Sequence, residues 1–116
     1  MINVLTLLNN DFKDLNIPYT FDGWDNEVEL PHFVGEISEI PTVDEDGKSE
    51  YSVILTGYAT NYSELFEVAE LLKIKYRTSA IVDGMVVKYD NTTIINNGTD
   101  DLKQIQINMT IKEWSV

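Results

Sequence analysis

Gln104-Ile105-Gln106-Ile107-Asn108-Met109-Thr110-Ile111-Lys112 decides the fold of this chain. Ile105, Ile107, Met109 and Ile111 alternate with Gln104, Gln106, Asn108, Thr110 and Lys112. Successive side chains of a strand point to opposite faces. The stretch is therefore a strand with one buried face and one wet face, which is the habit of an antiparallel sheet. It ends at Trp114, two residues from the last residue of the sequence.

Working outward, Glu50 to Thr60 repeats the pattern, with Tyr51, Val53, Leu55 and Ala59 on one side and Ser52, Thr56 and Thr60 on the other. His32 to Val43 reads as a third strand, with Phe33, Gly35 and Ile37 opposed to Val34, Glu36 and Ser38. Asp44-Glu45-Asp46-Gly47-Lys48-Ser49 between them is a turn, so the two strands form a long antiparallel hairpin. Pro41 suits a strand end or an edge. Ala80 to Ile95 holds short strands, with turns expected at Asp83-Gly84 and at Asp90-Asn91-Thr92. Asn96 to Asp100 is a loop.

Two segments carry helical spacing instead. Leu5, Leu8, Phe12 and Leu15 predict one face of a helix over 2–15, ended by Asn16-Ile17-Pro18. Leu65, Ala69, Leu72 and Tyr76 do the same over 62–77, with Phe66 and Val68 beside them. Asn61 is the expected N-cap, with Glu64 three residues on. Glu64, Glu67 and Glu70 come early and Lys73, Lys75 and Arg77 late, which complements the helix dipole. Tyr19 to Trp24 is a short extended piece. The expected fold is α+β over a single domain, 1–116: an antiparallel or mixed β-sheet with a long hairpin, packed against two helices, one N-terminal and one central.

Composition then narrows the chemistry. The 116 residues are 43% hydrophobic, enough for a globular core without staples. There is no cysteine, which removes disulfides, thiolate metal sites and thiol nucleophiles. No run approaches the length of a membrane-spanning helix. Met1 to Leu8 lacks a basic n-region and is read as part of the domain. The formal charge is -12, and ten of the twenty acidic residues lie between Asp22 and Glu50, where Lys48 is the only base. Such a surface disfavours nucleic-acid phosphates and anionic membranes.

No catalytic constellation accompanies the charge. His32 is the only histidine and is read as a strand-start residue. Asp44-Glu45-Asp46-Gly47 shares part of a calcium loop but lacks the twelve-residue pattern and its closing Glu, so a solvated turn is the better account. No phosphate-binding glycine motif is present. Four glycosylation sequons, at Asn61, Asn91, Asn97 and Asn108, are chance matches in an Asn- and Thr-rich chain. No cofactor and no metal are expected. Trp24 and Trp114 are candidate interface aromatics.

The layout resembles a known family. A leading helix is followed by Tyr19-Thr20-Phe21-Asp22-Gly23, a Pro-led strand (Pro31-His32-Phe33-Val34) and a hairpin. A helix and a closing strand then run from Asp100-Asp101-Leu102 through Ile111-Lys112-Glu113-Trp114. This is similar to the small tail-terminator and tail-completion proteins of long-tailed bacteriophages and prophages. The resemblance implies a structural, non-enzymatic protein that forms a ring, commonly a hexamer. The ring would cap the tail tube and join it to the head, with tail-tube and head-completion proteins as partners. It would be found in the bacterial cytoplasm during assembly and then in the virion tail. It implies no direct nucleic-acid affinity and no membrane. Asp44, Glu45 and Asp46 become candidates for a subunit contact or for lining the lumen, and a ring-closing contact would be heterologous. The alternative from another class is an acidic inhibitor that mimics DNA and occupies a nucleic-acid-binding enzyme.

Overall fold

A computed structural model describes residues 2–21, 29–40, 48–77, 80–82, 84–95 and 101–114. The elements run α1 (Ile2–Asp14), β1 (Tyr19–Thr20), β2 (His32–Ile40), β3 (Lys48–Ala59), α2 (Tyr62–Lys75), β4 (Ala80–Val82), β5 (Met85–Ile95) and β6 (Lys103–Trp114). The strands form one mixed sheet in the order β1-β2-β3-β6-β5-β4. The fold is the expected α+β architecture, with one N-terminal and one central helix.

The alternating strands lie at the centre. β3 pairs antiparallel with β2 on one side and β6 on the other, and the register sets Leu55 beside both Gly35 and Ile107. Odd-numbered residues of β2, β3 and β6 therefore share a face. Val53, Leu55, Ile105, Ile107, Met109 and Ile111 are sealed there under the helices. The other face is a polar ladder: Thr110 Oγ1 donates to Asp90 at 2.6 Å and Asn108 Nδ2 to Asn91 at 2.8 Å.

Three expectations are corrected by the packing. First, α1 buries Val4, Leu7, Leu8 and Phe12, whereas Leu5 is exposed, so the inward face is turned from the predicted one. Second, the helix ends through its own backbone before Pro18 acts. Asn16 takes a left-handed φ of 56°, and the Ile17 and Asn16 amides donate to the Phe12 and Lys13 carbonyls. That is a Schellman end, with Asn in the position glycine usually holds. Third, Asp90-Asn91-Thr92 is no turn. β5 continues through it, absorbing an irregularity between Tyr89 and Asn91. The extra residue is a β-bulge that exchanges the faces of the strand, so Ile94 comes out beside Ile105 on the helix side.

The hairpin of β2 and β3 is present as expected, its described strands ending at Ile40 and beginning at Lys48. Asn61 caps α2, accepting from the Glu64 amide at 3.1 Å. Gly84, at φ 78°, makes the turn from β4 to β5. Tyr19–Thr20 pairs parallel with Phe33 and Val34. The expected strand residues 41–43, the turn at 44–47 and the loop at 96–100 lie outside the described residues.

β1 pairs, among the described residues, with Phe33 and Val34 of β2, and β4 with Met85 to Val87 of β5. Among the described residues, Gly35–Ile40 and Lys88–Ile95 have no outer strand.

Candidate assembly surface

α2 has the composition of a helix with two apolar sides. Leu65, Val68, Ala69 and Leu72 face the sheet, as the spacing predicts. Ile74 is nine residues after Leu65, which at 100° per residue places it diametrically opposite. It is 62% exposed, and Leu71 and Phe66 stand out beside it. An ordinary surface helix confines its apolar residues to one stripe. Here the outer stripe borders Glu67 and Glu70, making an apolar strip with an acidic margin.

Phe66 also forms one wall of a cleft of about 620 Å³ between α2 and β5. Ile94, 52% exposed, lies across from it, and Lys73 and Arg77 line the same wall as Phe66. Among the described residues β4 reaches along β5 only as far as Val87, opposite Ala80, and the bulge beyond it turns Ile94 toward the helices and into the cleft. A smaller groove at the opposite sheet edge is lined by Leu5, Asn9, Lys13, Tyr19, Thr20 and Phe21.

The two helices are tied together by a part-buried polar contact. The Tyr76 hydroxyl donates to the Asp11 carboxylate, and Lys75 Nζ lies 3.9 Å from the same group. Burial, then the hydrogen bond to Asp11 and its negative charge, push the Tyr76 hydroxyl far above its ordinary 10.0. A phenol so strongly held in its neutral form is a structural donor, since acid–base work calls for a group near the working pH. The sign of the pH effect follows. Unfolded tyrosine loses its proton near pH 10 while folded Tyr76 keeps it, so stability must fall as pH rises above about 10. We expect Tyr76→Phe to lose about 1–3 kcal/mol at neutral pH and to flatten that alkaline decline. Urea titrations at pH 8 and pH 10.5 would show both effects. An alkaline slope unchanged by the substitution would contradict the assignment.

His32 opens β2, as expected of a strand-start residue. It is buried, with Nε2 3.2 Å from Thr20 Oγ1, and desolvation lowers its pKa. Burial also raises Tyr19, whose hydroxyl donates to Asn9 Oδ1. Among the described residues no three His, Asp or Glu side chains converge on a metal-sized site. No described helix is long and apolar enough to cross a membrane.

Of the residues singled out from the sequence, Trp114 is in view. It ends β6 opposite Lys48, its backbone N–H donates to the Gly84 carbonyl at 3.2 Å, and it is 40% exposed. Trp24, Asp44, Glu45 and Asp46 lie outside the described residues. Sequence reading missed Leu71, Ile74 and Ile94. For the first two the signal was present, as apolar residues off the inward stripe of α2. For Ile94 it was hidden by the bulge. Comparison with protein-family models, with curated proteins and with solved structures finds no match to this chain.

Proposed function

We propose that this protein is a structural component of a phage or prophage tail, a terminator or completion protein. Its copies form a ring that caps the tail tube and joins it to the head. The observation that carries this reading is the outward apolar strip of α2, Phe66, Leu71 and Ile74, which continues into the cleft at Ile94. Exposed apolar groups gathered in one place mark an interaction surface. The reading is further supported by the charge of -12, which would let a lumen pass DNA without holding it. Its partners would be further copies of itself, the tail-tube protein and a head-completion protein. It would be made in the host cytoplasm and carried into the virion.

Mass in solution tests the reading. Light scattering behind size exclusion, run across protein concentration, should find a closed oligomer near six times the 13.2 kDa chain mass. A strict monomer that binds a nuclease or polymerase in a salt-sensitive way would instead favour the DNA-mimic alternative.

A further inference from the structure

The outer side of α2 and of the turn that ends it carries two rows of side chains. At 100° per residue, Phe66, Glu70, Lys73 and Arg77 fall in one row and Glu64, Glu67, Leu71 and Lys75 in the other, with Ile74 on the midline between them. In each row the acids precede the bases. From this order, and from the exposed apolar groups set within it, we infer that a second copy of the chain docks on this face, the two α2 helices lying antiparallel about a twofold axis. The inference goes beyond the ring reading. A twofold contact closes on itself and makes pairs, and three pairs joined through a further face make six copies.

An antiparallel twofold pair lays each row against its own copy in reverse. With the axis passing between Leu71 and Leu72, Glu70 comes level with Lys73 of the other copy, and Phe66 with Arg77. Each of these meetings occurs twice. The first joins opposite charges, and the second sets a guanidinium beside an aromatic ring. In the other row Leu71 meets Leu71, Glu67 comes beside Lys75, and Glu64 extends beyond it. Ile74 faces the opening between Glu67 and Glu70 of the other copy, which is part of the apolar groove on this face. A parallel pair would instead set Glu70 on Glu70 and Lys73 on Lys73, and like charges repel.

The groups this contact uses are available. Phe66, Leu71 and Ile74 stand exposed, and among the described residues Glu67, Glu70, Lys73 and Arg77 make no ion pair. Two carboxylates border the helix from other elements. Asp11 of α1 accepts from Tyr76 and lies 3.9 Å from Lys75. Asp90 of β5 lines the cleft with Lys73 and Arg77, and Thr110 Oγ1 donates to one of its oxygens. The Glu70 that arrives from the other copy therefore meets two cations and one acid. A helix of 14 residues is about 21 Å long, a smaller footprint than a standard interface, so pairing through α2 alone depends on concentration.

The chain has no cysteine, so one introduced thiol reports the contact. Leu71 stands nearest the axis, whereas Glu64 would be about 22 Å along the paired helices from its own copy, out of reach of a disulfide. Oxidation of the Leu71→Cys chain should give a dimer on a non-reducing gel, and oxidation of Glu64→Cys should not. Charge reversal gives a second readout. Glu70→Lys and Lys73→Glu each set like charges level at both equivalent meetings, and each should weaken self-association in sedimentation by about tenfold. The double variant should restore it, and circular dichroism should report native folding throughout. An associating chain in which Leu71→Cys gives no more dimer than Glu64→Cys, or a double variant no better than the singles, would overturn the α2 contact and leave the ring reading standing. A dimer linked at Leu71→Cys, with nothing larger in solution, would uphold the pairing and remove the ring. A chain monomeric at every concentration would remove both.

Discussion

Replacing Phe12 by alanine is expected to cost about 3–5 kcal/mol, the range for a large buried aromatic. Phe12 is fully buried where α1, β1 and the sheet meet. Its ring lies 5.1 Å from Tyr19, edge on, and 6.2 Å from Phe21, nearly parallel. Tyr19 and Phe21 contact each other at 5.5 Å. One side chain thus anchors the only described strand on the β2 edge. A domain's net stability is about 5–15 kcal/mol, so this loss threatens folding at 37 °C. Urea unfolding should show a much lower midpoint at unchanged slope. A loss within about 0.5 kcal/mol, as for a neutral surface change, would contradict the packing described.

Gly57→Ala is the second large effect, and its cause is the reverse, too little room instead of a cavity. Gly57 lies opposite Phe33 in the β2–β3 ladder, and the Phe33 ring lies across it. A Cβ at Gly57 would meet three atoms of that ring at 2.4, 2.8 and 2.9 Å. Phe33 is itself fully buried and has little space to withdraw. Overpacking of this kind costs about 1–3 kcal/mol, and here the upper part of the range is expected. Gly35 makes the same provision for Phe21, whose ring would stand 2.4 Å from an added Cβ. The cause can be isolated by a double-mutant cycle. Phe33→Leu in the Gly57→Ala background should recover part of the loss, because the two changes share one volume. Simple additivity would mean that the ring is not what excludes the methyl group.

These glycines mark where the sequence could be read and where it could not. The alternation in β3 and β6 was legible because both strands bury one face completely, so every second residue is apolar. The cap at Asn61 was legible because capping is local chemistry. The face of α1 was not. Its apolar residues Ile2, Val4, Leu5, Leu7 and Leu8 nearly encircle the helix, and only tertiary contact selects Val4, Leu7 and Leu8. The bulge in β5 was read as a turn because Asp-Asn-Thr suits both. Pairing with β6 on either side of it holds the strand extended. The pairing of Phe33 with Gly57 depends on register, which neither strand states alone.

The candidate surface was legible only in part. Trp114 was identified and is half exposed at the end of β6. The strip on α2 escaped notice because its residues fall outside the stripe that packs the core. Leu71 and Ile74 are unfavourable in water on a lone chain and favourable beneath a neighbour. That exposure is the ground for the assembly proposed above.

Whether copies close into a ring decides the assembly reading. Negative-stain electron microscopy of the concentrated protein answers this. End-on views should show a closed annulus with a central opening, built from a single size of particle. Uniform particles of monomer size at every concentration would rule the ring out.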